Sequence, residues 1–309
     1  MIERDGNVEE NAYFDDIWHY GDVHLLENNA YLPLGFLAET ELAELDFSKT
    51  SNNFAFQNKL FSAATGNPTN VWTITPGNWL AIQPDGVDIT AQTEAGYCAY
   101  STTNGGTLKY VYTVYDEGFL CLDLTMNARN SFTVWKNGVQ LYSESLSLPQ
   151  TIAVSDVKPG DTIELHATCK SGENSSMTIK AAILDERVFR SGYDILKAST
   201  LELTQFRNTH VEGTILCDRD GLLYTSIPQN GNNWKAYVDG KEADITLIGD
   251  AMIALQLTEG EHTVSFRYEN KAFSLGWKVS LGCAVVFAVI AVCCYLPGRK
   301  RGKYERVQK

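Results

Sequence analysis

Eighteen consecutive residues, Val279 to Leu296, carry no charge. As a helix rising about 1.5 Å per residue they are about 27 Å long. The wider run Phe273–Leu296 (FSLGWKVSLGCAVVFAVIAVCCYL) is long enough to cross a hydrocarbon core about 30 Å thick. It shows no polar face, which separates it from an amphipathic core helix. Lys278 stands at one mouth and can snorkel, while Trp277 and Tyr295 fall where interfacial aromatics sit. Pro297-Gly298 is expected to stop the helix, followed by the basic cluster Arg299-Lys300-Arg301. The pattern predicts one transmembrane helix over 273–296, a basic cytoplasmic tail over 297–309, and the lipid bilayer as a partner.

Charge sorts the rest. The net charge is -13. Residues 271–309 hold eight basic residues and one acid, leaving 17 basic and 37 acidic residues in 1–270. A body that acidic repels phosphate backbones, which argues against nucleic acid. Lys and Arg behind the span favour a cytoplasmic tail, so the body is expected outside a cell membrane. The N-terminal stretch MIERDGNVEENAYFDD has no apolar export signal. A longer polytopic chain, whose upstream helices set the topology, reconciles the two; a tail-anchored cytoplasmic protein is the competing arrangement.

The body reads as mainly β, with tandem β-sandwich or jelly-roll-like modules. Thr107–Tyr115 and Leu120–Met126 alternate with period two. Asn137-Gly138 between Ser131–Lys136 and Val139–Tyr142, and Asp239-Gly240 between Trp234–Val238 and Lys241–Leu247, are hairpin signals. Further strands are expected at Asp161–Thr168, Met177–Leu184, Gly213–Cys217, Leu222–Ile227, Met252–Leu257 and His262–Tyr268. The segments Lys158-Pro159-Gly160-Asp161 and Thr258-Glu259-Gly260-Glu261 each lead into an alternating strand. They suggest a first module over 84–190 and a smaller second over 200–270. Residues 1–83 form a short α/β segment with one helix at about 51–66, where Phe56, Leu60, Phe61 and Ala64 share a face and Gly66 caps the end. Asn29–Leu37, broken by Pro33 and Gly35, suits an edge strand or linker.

Candidate chemistry is sparse. Asp15, Asp16, His19, Asp22 and His24 cluster in sequence, but their spacing matches no ligand pattern, so they read as surface polarity on an irregular segment and no metal or cofactor is expected. Glu164 with His166, and Glu261 with His262, put an acid near a histidine on a strand, and His210 stands alone. No nucleophile elbow, phosphate loop or dinucleotide motif is present. Aromatic side chains suited to stacking on sugar rings are plentiful. Trp79, Trp135, Tyr110 and Tyr112 are the glycan contacts expected, although a strand packed against another sheet gives the same alternation. Cys98, Cys121, Cys169 and Cys217 are compatible with two disulfides or with four buried thiols.

Taken in order, Glu27–Phe36 (ENNAYLPLGF), Phe54–Gly66 (FAFQNKLFSAATG), Gly221–Pro228 (GLLYTSIP), Asn233–Lys241 (NWKAYVDGK) and Gly260–Tyr268 before a last membrane helix resemble the C-terminal part of the bacterial YfhO membrane-protein family. The resemblance covers about residues 13–298; Asn233-Trp234 stands where relatives usually have Gly-Trp. It implies a polytopic protein similar to C-type glycosyltransferases, which modify cell-envelope polymers from a polyprenyl-phosphate-linked sugar. Their catalytic acids lie between early membrane helices that this sequence lacks, so no catalytic residue carries over. The resemblance implies an extracytoplasmic β-domain with its final anchor, non-catalytic by itself, assisting that glycosylation beside an upstream polytopic membrane part. A tethered carbohydrate-binding module and a structural or assembly domain are the alternatives.

Overall fold

The computed structural model describes residues 2–4, 14–21, 23–48, 52–75, 77, 79–82, 84–126, 131–145, 150–231 and 233–305. The fold is mainly β, as the alternation predicts. Seven elements come from the N-terminal segment: β1 (Ile2–Arg4), β2 (Phe14–Tyr20), β3 (Val23–Asn28), β4 (Gly35–Ala38), a short 3-10 helix (Thr40–Glu44), helix α1 (Asn53–Thr65) and β5 (Trp72–Ile74). The first sandwich uses β6 (Asp88–Gln92), β7 (Tyr97–Ser101), β8 (Gly106–Thr113), β9 (Gly118–Met126), β10 (Ser131–Lys136), β11 (Val139–Ser145), β12 (Gln150–Val157), β13 (Thr162–Cys169) and β14 (Asn174–Leu184). Helix α2 (Glu186–Lys197) leads to β15 (Glu202–Arg207), β16 (His210–Cys217), β17 (Gly221–Pro228), β18 (Trp234–Val238), β19 (Lys241–Ala243), β20 (Thr246–Ile248), β21 (Met252–Leu257) and β22 (Gly260–Tyr268). Helix α3 (Lys271–Glu305) ends the described chain.

The first sandwich faces sheet β11-β10-β13-β8 against sheet β12-β9-β14-β7-β6. Period-two alternation drives inward one row from each strand: Leu108, Tyr110 and Tyr112 from β8, Leu120, Leu122 and Leu124 from β9, Ile163 and Leu165 from β13. The second sandwich faces β15-β16-β22-β18-β19 against β20-β21-β17-β4 around Leu37, Leu223, Ile253, Val264 and Phe266.

The two sandwiches repeat a device. Asn137-Gly138 has φ of 50° and 81°, and Asp239-Gly240 has 51° and 78°, the left-handed pair that a two-residue hairpin requires. The Asn137 side chain accepts from the Thr162 amide at 2.8 Å and that of Asp239 from the Thr263 amide at 2.9 Å. Each turn is thereby tied to the next strand of its sheet. The strand orders β8-β13-β10-β11 and β16-β22-β18-β19 run in parallel, so the two Gly-acid segments noted in the sequence occupy equivalent places.

Of the N-terminal strands, β1, β3 and β2 form a three-stranded sheet of their own, while β4 and β5 join the sandwiches. Strand β4 pairs with β17 at the edge of the second sandwich, and β5 pairs with β14 of the first. Helix α1 lies between the sandwiches. Its N-cap Asn52 accepts from Ala55 at 2.8 Å, and Gly66 closes it at φ 70°. Phe54, fully buried, packs on Cys121 and Ala182 of the first sandwich; Ala64 and Leu60 pack with Leu222 and Ala254 of the second. Only Lys59 of the helix is exposed, so apolar and small residues surround it instead of forming the single face expected. Asn58 pins β5, donating to the Trp72 carbonyl and accepting from its amide at 2.8 and 2.7 Å. Helix α2, unforeseen in the sequence, starts where Asp185 caps the Arg187 and Val188 amides. It approaches α1 closely at Gly192, where a Cβ would stand 2.2 Å from the Phe61 ring. Two boundaries also move. Lys241–Leu247 splits into β19 and β20, which belong to different sheets. Helix α3 continues through Pro297-Gly298 to Glu305, beyond the expected stop; the missing Pro297 amide removes one rung of its ladder without ending it.

Candidate functional site

Where β8, β13 and β10 turn their other row outward, a polar and aromatic platform forms. The register places Glu164 opposite both Val111 and Trp135, and His166 opposite both Lys109 and Thr133. The Trp135 and His166 rings stack with centroids 5.8 Å apart and planes 28° off parallel. The Trp135 indole donates to Thr133 Oγ1 at 3.0 Å. Glu164 Oε2 lies 3.0 Å from Lys109 Nζ and 2.9 Å from His166 Nε2. The lysine, then the histidine, hold the Glu164 carboxyl below its ordinary range, so it is an anion bonded to the Lys109 ammonium and to the His166 ring. Glu164 and His166 do share one sheet face, as their i, i+2 spacing predicts. The result is a half-buried ring surface edged by an amine, a carboxylate and a hydroxyl, the groups that a sugar's C–H face and hydroxyls meet.

The other three expected contacts lie elsewhere. Trp79, Tyr110 and Tyr112 are 2%, 0% and 1% exposed in the first sandwich core. Trp79 stacks on Tyr112 at 4.7 Å, and burial raises both tyrosine hydroxyls' pKa. Alternation along β8 put the two tyrosines on the face opposite Lys109 and Val111, and that face turned inward, with Trp79 packed on it from outside the strands, so all three rings fill space between sheets and offer no surface to a glycan. Cys98, Cys121, Cys169 and Cys217 are free, buried thiols. Burial pushes Cys121 up to about 12 and Cys169 and Cys217 to about 11, which leaves them unreactive.

A second concavity, of about 840 Å³, opens between the sandwiches, bordered by α1 and α2. Leu60, Phe61, Trp72, Phe119, Phe189 and Tyr224 make it chiefly apolar, with the dimensions of a small-molecule pocket. No local pattern announces it, because its walls are drawn from segments as distant in the chain as Phe14 and Tyr224.

Among the other titratable groups, His262 pairs with Asp239 of the hairpin turn at 2.8 Å, rather than with Glu261. His210 is half-buried, 3.2 Å from Glu212. Asp15 is exposed and Asp22 lies outside the described residues, but Asp16, His19 and His24 come together on the β2–β3 hairpin.

In α3, Lys271–Cys294 is the one helix among the described residues long and apolar enough to cross a membrane, and none of it is buried against protein. Trp277 and Lys278 are exposed on it. The side chains of Tyr295, Arg299, Lys300 and Arg301 lie outside the described residues.

A β-sandwich pair carried on a bare apolar helix defines a membrane-attached protein with a large non-membrane body. The family model described as bacterial membrane protein YfhO matches residues 4–280. The chain belongs to that family. None of the curated proteins compared with it is a match. Among solved structures it is similar to a cycloisomaltooligosaccharide glucanotransferase of Paenibacillus sp. (7% identity, 70% of this chain and 50% of that one, TM-score 0.25). It is also similar to a family 29 carbohydrate-binding module, CBM29-2 (15%, 37% and 91%, TM-score 0.23), and to a GH2 β-galacturonidase from Eisenbergiella tayi (12%, 65% and 38%, TM-score 0.23). This chain spans half the length of the glucanotransferase. Likeness at this level is no guide to ligand.

Proposed function

We propose that this YfhO-family chain is a membrane-anchored extracytoplasmic domain that holds a cell-envelope glycan while a sugar is transferred to it from a polyprenyl-linked donor. It contributes binding and not catalysis, the transfer chemistry belonging to a polytopic membrane part. The observation that carries this reading is the Trp135 platform. An indole kept flat by His166 and Thr133 offers a pyranose an apolar face, and Lys109 and Glu164 stand ready for its hydroxyls. An acidic body suits neutral or cationic polymers better than anionic ones.

The test uses the full chain in detergent against purified envelope polysaccharides. Binding to at least one is expected, weakened roughly tenfold or more by Trp135→Ala, with the melting temperature unchanged because Trp135 lies outside the core cluster. Equal binding by the variant, or sugar transfer by the purified chain alone, overturns the reading.

The apolar cavity favours a second reading, in which the body holds the hydrocarbon chain of a lipid. Ala153 lines that cavity. A fluorescent isoprenoid probe should bind the unsubstituted chain and the Trp135→Ala variant alike, and bind Ala153→Trp weakly. A probe that does not distinguish Ala153→Trp rules this reading out.

A further inference from the structure

Strand alternation alone would put Asp16 and His19 on opposite faces of β2, since they are three residues apart. The ladder shows why they are not. Asp16 pairs with Leu26 and Trp18 with Leu25, so Ile17 is an extra residue with no partner across the strand, and His19 falls opposite His24. That bulge shortens the effective spacing to two and turns Asp16 onto the histidines' face, the re-aiming that bulges produce. Asp16 then stands diagonal to His24, within cross-strand reach. The His19 and His24 rings face each other at 5.5 Å with planes 26° off parallel. Asp16 Oδ2 lies 2.6 Å from His24 Nδ1. One donor atom from each of the three residues lies within 4.8 Å of the other two.

We propose that Asp16, His19 and His24 form a zinc-class divalent metal site on the β2–β3 hairpin. Two imidazoles and one carboxylate are a recognised three-ligand set for Zn²⁺, with ligand bonds of about 2.0–2.2 Å. Tetrahedral bonds of that length hold donors roughly 3.4 Å apart. The Asp16–His24 pair therefore opens slightly and the exposed His19 ring swings in, both by side-chain rotation. The supporting shell is present: the Trp18 amide donates to Asp16 Oδ1 at 3.2 Å, leaving Oδ2 for the ion. The Asp16 and His24 side chains are each 19% exposed, so the ion would be partly sheltered. Three protein ligands leave a fourth position for water or an anionic group of a ligand.

Co²⁺ titration of the full chain in detergent tests this. The expected result is a visible tetrahedral absorption band saturating at one equivalent, displaced by Zn²⁺. His19→Gln and Asp16→Asn should each weaken binding at least tenfold while the far-ultraviolet dichroism stays unchanged. A further measurement needs no substitution: Zn²⁺ should protect His19 and His24 from diethyl pyrocarbonate in the unsubstituted chain. Absence of the band, a band indifferent to both substitutions (as exposed Cys283, Cys293 and Cys294 would give), or unprotected histidines overturns the proposal.

Discussion

His262 and Asp239 are one contact whose chemistry can be followed through pH. The Asp239 carboxylate, chiefly through its hydrogen bond, raises the His262 pKa above its ordinary value near 6.5, with the Thr258 carbonyl adding to it; burial opposes them. The same bond lowers the Asp239 pKa. The histidine's contribution to stability is complete below its unfolded value and disappears as pH rises through its higher folded value. The aspartate's is complete above its unfolded value near 3.8 and disappears as pH falls through its lower folded one. Asp239 is 52% exposed, so the pair is worth a small amount. His262→Gln should lower the melting temperature by about 1–2 °C at pH 6 and by nearly nothing at pH 8.5; a pH-independent difference would contradict this assignment. The residue scale is also where sequence reading reached its limit at Trp79, Tyr110 and Tyr112. Alternation says which residues share a face, but whether that face looks in or out is decided by the partner sheet. Trp135 turned outward because Phe132 and Val134 hold the core side of its own strand.

At the scale of elements, legibility followed local chemistry. The hairpins at Asn137-Gly138 and Asp239-Gly240 were readable because positive φ at both positions is written in the residues themselves. The edge position of β4 was readable from Pro33 and Gly35. Helix α2 was not anticipated although Asp185 is a good cap, since its buried side, Gly192, Tyr193 and Leu196, is sparse and one member has no side chain. The β2–β3 hairpin was unreadable for a different reason. Its bulge at Ile17 breaks the very periodicity by which strands are recognised, and with it the grouping of Asp16, His19 and His24.

For the whole molecule, the membrane-crossing helix and the acidic body were plain in the sequence, whereas the interlocking of the N-terminal segment with both sandwiches depends on long-range pairing that no local pattern encodes. The side of the bilayer proposed for the body rests on charge alone: basic residues behind the span favour a cytoplasmic tail. Protease added to intact cells should therefore degrade the β-rich body and spare an epitope placed after Lys309. Protection of the body until lysis would put it inside and end the glycan reading.

Helix α1 has one flank against each sandwich, and the strands on either side of it repeat that arrangement, β4 pairing with β17 of the second and β5 with β14 of the first. Neither half can be traded for a homologous piece without stripping a wall from the other. Cutting the chain between the sandwiches should therefore expose apolar surface on both pieces, so neither half is expected to stay soluble when expressed without the other.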